Sequence, residues 1–207
     1  MFNGIIKNTG KIKSIIKNNN NCLLIINSKM IFNKYEIGSS VSCSGTCLTL
    51  ENYKNDTAKF YLSKETLKKT LFKFSKKNDI INLEKSLKYG DRVSGHFVQG
   101  HVDLTSKVSK ISYVGKSWLI NFTLPKAYKK YLVEKGSITI NGVSLTVVKI
   151  LKNGFQISII PHTLKLTNLV KLKPKDSVNI EFDVLSKYIR NFIKKRWKKN
   201  FLKLKKY

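Results

Sequence analysis

Side chains able to attack an electrophile or carry a proton are few in this sequence, and they sit beside glycines. Two of the three histidines, His96 and His101, fall within Gly95-His96-Phe97-Val98-Gln99-Gly100-His101. An imidazole changes charge near neutral pH and commonly carries protons at a reactive centre. Cys47 lies in Gly45-Thr46-Cys47-Leu48-Thr49, a thiol between small hydroxyl residues. Hydroxyls beside exposed backbone can hydrogen-bond the edge of a flat polar heterocycle, and glycines let it approach. The same hydroxyls would serve equally to satisfy turn backbone. Metal binding fits less well: Cys43 and Cys47 are four positions apart and His96 and His101 five, and neither spacing is the tight pair that sets two ligands on one turn. No metal is expected.

These residues recur. Gly45-Thr46-Cys47-Leu48-Thr49 returns as Gly142-Val143-Ser144-Leu145-Thr146, and Glu65-Thr66-Leu67 with Thr70 returns as His162-Thr163-Leu164 with Thr167. Asn82-Leu83-Glu84 returns as Asn179-Ile180-Glu181; all three pairs are offset by 97 positions, and Gly4 and Gly100 by 96. So constant an offset marks a duplicated module of about 95 residues. Short apolar runs such as Cys22-Leu23-Leu24-Ile25-Ile26 and Phe60-Tyr61-Leu62, separated by Asn, Gly and Lys, read as the strands of a barrel or sandwich. Asn18-Asn19-Asn20-Asn21 reads as a loop or hairpin turn. Duplicated sites suggest two similar ligands, one able to react with the other.

Past Asp183 the pattern changes. Tyr188, Ile189, Phe192, Ile193, Trp197, Phe201 and Leu204 fall at three- and four-residue steps, the mark of one apolar helical face. Left over after two complete modules, such a helix needs a partner. Self-association is the expected one, with a basic helix on an anionic membrane as the alternative.

The 207 residues suffice for two domains. No apolar run approaches the roughly 18 residues of a membrane span, and no signal-type apolar core follows Met1-Phe2-Asn3-Gly4. Three cysteines, an odd number, argue against a disulfide framework. A cytoplasmic protein is expected. The formal charge of +28 would ordinarily raise nucleic acid as a partner, but the excess is scattered lysine with only Arg92, Arg190 and Arg196, and it accompanies abundant Asn, Ile, Phe and Tyr. Codons rich in A and T explain that composition. A barrel binding single strands would array aromatics on an exposed face; Tyr113, Trp118 and Phe122 come nearest, and strand packing explains them as well. Neither a nucleic acid nor a membrane partner is expected.

Taken together, the motifs resemble those of the riboflavin synthase α-chain family. Met1-Phe2-Asn3-Gly4-Ile5-Ile6 is similar to its start, and the match continues through Gly45-Thr46-Cys47-Leu48-Thr49, Glu65-Thr66-Leu67, Gly95 to Asp103, Gly142-Val143-Ser144-Leu145-Thr146, Ile160-Pro161-His162-Thr163, Val178-Asn179-Ile180-Glu181 and Lys187-Tyr188 with Arg190. The resemblance implies an all-β fold: tandem duplicated six-stranded Greek-key β-barrels with a C-terminal amphipathic α-helix. Residues 1–95 and 96–185 would form the two lumazine-binding barrels and residues 186–207 a trimerisation helix. It implies a homotrimer whose active sites lie between the N-terminal barrel of one subunit and the C-terminal barrel of the next. The implied reaction is the dismutation of two 6,7-dimethyl-8-ribityllumazine molecules, two per active site, without a cofactor.

By the same resemblance Cys47 and Ser144 lie near the reacting carbons, with His101 the candidate for proton transfer, supported by Lys135 and Asp183. Ser40, Thr49, Glu65 and Thr66 would line the first pocket, Thr146, Ile160, His162 and Thr163 the second, and Gly4 is a further substrate-binding candidate. His96 reads as structural, since a histidine in a strand between glycines is more often packed and hydrogen-bonded. The sequence departs from the family pattern at Ser94, Thr46 and Tyr61, the last where an Asp on the ribityl side is common. The competing reading is a relative that only binds lumazine or flavin. Retention of Cys47, Ser144 and His101 argues against it, because binding alone needs no reactive thiol.

Overall fold

Apolar and polar residues alternate along most strands, and the alternation decides which face turns inward. In β1 (Asn8–Lys17) and β2 (Asn21–Ser28) the inward positions include Gly10, Ile12, Cys22, Leu24 and Ile26. β3 (Ser40–Cys43), β4 (Thr46–Lys54), β5 (Thr57–Ser63) and β6 (Ile80–Lys85) add Val41, Leu48, Leu50, Phe60, Leu62, Ile81 and Leu83 to one core. The computed structural model describes residues 1–18 and 21–204, with side chains as far as residue 194. Asn19 and Asn20, read as part of a turn, therefore lie outside the described residues.

The six strands close on themselves, all antiparallel, in the order β1-β2-β5-β4-β3-β6. A second barrel repeats the plan. It is built from β7 (Leu104–Val114), β8 (Ser117–Thr123), β9 (Ser137–Ile140), β10 (Val143–Leu151), β11 (Gly154–Ile159) and β12 (Ser177–Phe182), closed as β10-β11-β8-β7-β12-β9. Even the irregularities repeat. The β1–β2 register slips between Ile12 and Ser14 and β7–β8 between Val108 and Lys110; β4–β5 slips after Leu50 and β10–β11 after Val147. A bulge bends and twists its strand, which lets a short sheet close. Short helices follow the fifth strand of each barrel: α1 (Lys64–Lys69), capped by Ser63 Oγ on the Thr66 N–H, and α2 (Pro161–Leu166), with proline in its first turn.

The barrels meet at their β3–β4 and β9–β10 hairpins. Both turns take left-handed backbone at two residues, φ 45° and 80° at Ser44 and Gly45 and 47° and 81° at Asn141 and Gly142, the pair that a two-residue hairpin favours. The turns abut. A Cβ on Gly45 would lie 2.6 Å from the Gly142 nitrogen, and one on Gly142 2.7 Å from that of Gly45, so only glycine lets the barrels come this close. Two equivalent asparagines clamp the contact. Asn179 donates to the Ser44 carbonyl (2.8 Å) and accepts from the Leu71 N–H (2.7 Å). Asn82 donates to the Asn141 carbonyl (2.9 Å) and accepts from the Asn168 N–H (2.7 Å).

The segments preceding β1 and β7 run across this junction. Phe2 and Val98 form an antiparallel bridge, and Ile6, though it precedes the first barrel, is buried in the core of the second. After β12, Asp183 accepts the Leu185 N–H (2.9 Å) at the start of α3 (Val184–Leu204). Leu185, Tyr188, Ile189, Phe192 and Ile193 stand exposed along it. The side chains of Trp197, Phe201 and Leu204, placed on the same apolar face, lie outside the described residues. Among the described residues no helix is long and apolar enough to cross a membrane.

Candidate active site

Cys47 and Ser144 occupy equivalent places on β4 and β10, each half-buried on the second residue after its hairpin turn. Their neighbours along the strand, Leu48 and Val143, point into the cores, so strand alternation puts the thiol and the hydroxyl on the outer face. Thr49 and Thr146, two residues on, share that face and are exposed. Ser40 pairs with Thr49 across the β3–β4 ladder.

Over each of these two candidates lies a glycine from a crossing segment. The Cys47 N–H donates to the Gly100 carbonyl (2.8 Å), and the Ser144 N–H to the Gly4 carbonyl (2.8 Å). At Gly100 (φ +79°) a Cβ would fall 2.6 Å from Cys47 Cβ, and at Gly4 (φ +73°) 2.7 Å from Ser144 Cβ. Two buried glutamates hold these segments down. Glu84 accepts the Asn3 and Gly4 N–H groups (2.8 and 3.0 Å), and Glu181 those of Gln99 and Gly100 (2.8 and 2.9 Å). Burial pushes both carboxyls up from their ordinary range, and the N–H donors pull the other way.

The connections form a closed circuit. Cys47 pairs with Ser42 and Ser42 with Glu84, which holds Gly4 against Ser144. Ser144 pairs with Thr139 and Thr139 with Glu181, which holds Gly100 against Cys47. Each candidate half-site is thus positioned partly by the other barrel.

The two halves differ in one respect. His96 Nδ1 lies 2.7 Å from Ser144 Oγ and its Nε2 3.1 Å from Thr139 Oγ1. The ring is buried, which holds its pKa below the usual histidine value, while the Asp183 carboxylate opposes that shift. A neutral imidazole bonded to a serine hydroxyl can exchange a proton with it. His96 lies in the crossing segment and not, as expected, in a strand, but it is packed and hydrogen-bonded as expected, with the candidate Ser144 among its partners. No imidazole reaches Ser42, the equivalent of Thr139, and its buried Oγ has no partner among the described residues.

The remaining candidates are spread around these centres. His101 is exposed and follows Gly100 directly. Thr66 closes the first turn of α1 through Ser63, and Glu65 pairs with Lys69 (3.2 Å) on the exposed side of that helix. Ile160 caps α2, and His162 and Thr163 lie in its first turn, His162 exposed. Lys135 is exposed in a left-handed turn whose N–H donates to the Val147 carbonyl (2.8 Å), and Asp183 joins the second centre through its field on His96. Glu84, Glu181, Thr139 and Gly95 were not among the sequence candidates. A Cβ on Gly95 would lie 2.2 Å from the Asn3 carbonyl oxygen and 3.0 Å from Ser144 Oγ. The signal for the two glutamates was present in the repeated Asn-x-Glu, whereas nothing in the sequence marks Thr139.

Comparison with known proteins agrees with this duplicated architecture. The lumazine binding domain model matches twice, over residues 3–86 and 99–183. A riboflavin synthase of Actinobacillus pleuropneumoniae is 39% identical over 197 residues, covering 95% of this chain and 91% of that protein. One from Photobacterium leiognathi is 37% identical, covering 94% and 89%. Among solved structures, LumP complexed with 6,7-dimethyl-8-(1'-D-ribityl) lumazine superposes with a TM-score of 0.76 at 25% identity, over 87% of this chain and 98% of that one. With two copies of the domain and relatives this similar over nearly its whole length, the chain belongs to the lumazine-binding domain family and, within it, to the riboflavin synthases.

Proposed function

We propose that the protein is an enzyme that dismutates 6,7-dimethyl-8-ribityllumazine: one molecule gives a four-carbon unit to a second, yielding riboflavin and 5-amino-6-ribitylamino-pyrimidinedione. Donor and acceptor are the same compound, so the exchange is redox-neutral and needs no external oxidant. The observation that carries this reading is the pair of equivalent half-sites at Cys47 and Ser144, each under a glycine tied to the opposite barrel. Two like sites fit two like substrates. A protein that merely stores one ligand has no need of a thiol in one site and a histidine-bonded hydroxyl in the other.

The C7 methyl of lumazine is acidic because its carbanion is delocalised into the ring. Catalysis therefore consists of proton removal, nucleophilic addition and close positioning. Ser144, bonded to neutral His96, exchanges a proton with one bound lumazine, and Cys47 presents its thiol to the other. His101 beside Gly100 is the proton carrier on the Cys47 side, while Asp183 supports proton transfer on the Ser144 side through its charge on His96, and Lys135, whose N–H bonds Val147 of the second barrel, is a further supporting group. Ser40, Thr49, Glu65 and Thr66 bind the first ligand; Gly4, Thr146, Ile160, His162 and Thr163 bind the second.

The reading includes a homotrimer in which the first barrel of one subunit faces the second barrel of the next, supported by the uncovered apolar side chains of α3. A cytoplasmic location fits the three free thiols Cys22, Cys43 and Cys47. The test is to incubate the protein with 6,7-dimethyl-8-ribityllumazine and EDTA, without added cofactor, and to follow riboflavin. About half a mole of riboflavin per mole of lumazine consumed is the expected result, as the two-to-one stoichiometry of a dismutation requires. Saturable quenching of lumazine fluorescence with no riboflavin formed would mean a binding protein and overturn the assignment.

A further inference from the structure

Thr139 is 1% exposed, yet its hydroxyl is not spent on the backbone: among the described residues its side-chain hydrogen bond goes to His96 Nε2. The opposite ring nitrogen is bonded to Ser144 Oγ. With both nitrogens engaged, the imidazole cannot rotate or flip without breaking two bonds. We propose that Thr139 is a positioning residue for the reaction, holding the His96 ring so that Nδ1 faces the Ser144 hydroxyl. This rests on the dismutation assigned above. The first barrel supplies the contrast, since Ser42 sits in the equivalent place across from Cys47 with its Oγ unpartnered among the described residues. The ladder itself thus gives a hydroxyl at this position no partner; at position 139 the imidazole is the partner.

The surroundings set the sign of the effect. Burial disfavours the protonated ring, whereas the charge of Asp183, just past β12, favours it. Glu181 lies across from Thr139 on β12, with its carboxylate taken by Gln99 and Gly100. Glu84 holds Asn3, whose carbonyl accepts the His96 N–H (3.3 Å). A protonated ring carries two N–H groups, and Thr139 and Ser144 are the hydroxyls placed to accept them. Removing the Thr139 hydroxyl leaves one N–H buried without an acceptor, so the ring binds its proton less tightly.

The test compares Thr139→Val, Thr139→Ala and Thr139→Ser in the full chain. Three quantities are followed: kcat for riboflavin formation, its pH profile, and the titration and tautomer of His96 by nitrogen-15 NMR. In Thr139→Val we expect kcat to fall about five-fold, the size one neutral hydrogen bond supports. The acid limb of kcat and the His96 titration should both move to lower pH, and Thr139→Ser should restore both. Thr139→Ala serves for the titration if the valine does not fold. An unmoved His96 titration in a folded variant lacking the hydroxyl overturns the proposal whatever happens to kcat, as does a serine variant that behaves like the valine. Absence of riboflavin from the unaltered protein would instead overturn the assigned reaction, while the titration still tests the hydrogen bond.

Discussion

Gly100 and Gly4 leave less room for change than the candidate residues they cover, Cys47 and Ser144. Each combines left-handed backbone with a contact that any Cβ would violate, 2.6 Å from Cys47 Cβ in one case and 2.7 Å from Ser144 Cβ in the other. Gly100→Ala should destabilise the protein by about 2–4 kcal/mol, from backbone strain together with overpacking against Cys47. Thermal melting checks this, and a melt unchanged from the parent would mean that the segment has room to move. At this scale the sequence was informative wherever the repeat marked a residue twice. Cys47 and Ser144, or Gly4 and Gly100, are visible as pairs. His96 and Thr139 are not, because their bond joins residues 43 positions apart and occurs in only one of the two halves. A hydrogen bond from a crossing segment to a barrel strand has no periodicity to betray it.

Elements were more legible than their docking. Short apolar runs such as Cys22 to Ile26 and Phe60 to Leu62 placed strands in the right segments, and the 97-residue offset made the two halves alike. Which segment crosses to which barrel was hidden. Ile6 reads as the start of the first module, yet it packs in the core of the second. The clamp that fixes this docking is testable. Asn179→Ala would leave the Leu71 N–H and the Ser44 carbonyl without their partner at the barrel junction. Losing these two junction hydrogen bonds and stranding their partners should cost about 2–4 kcal/mol. Asn82→Ala should behave alike, since it removes the equivalent pair on the other side. In denaturant, the expected signature is a transition at lower concentration that separates into two, as the barrels lose their coupling. A single transition at the parental midpoint would show that the glycine turns and crossing segments suffice.

The whole molecule presents two candidate half-sites and an uncovered helix, and the proposed trimer ties them together. Leu185, Tyr188, Ile189, Phe192 and Ile193 are each more than 40% exposed on α3. Burying such side chains contributes on the order of 1.5–3 kcal/mol apiece, enough in sum to hold three copies together. Ile189→Asp with Phe192→Asp leaves the Asp183 cap and both barrels intact. It should lower the mass in light scattering to about one third, as loss of a closed three-fold assembly requires. If each active site joins the first barrel of one subunit to the second barrel of another, activity should fall with the mass. Subunit mixing then separates assembly from chemistry. Cys47→Ala and Ser144→Ala, each impaired alone, would after exchange form interfaces in which an intact Cys47 from one chain faces an intact Ser144 from the other. Riboflavin formation above that of either parent is the expected outcome. Exchanged trimers no more active than their parts would place both substrates within a single chain.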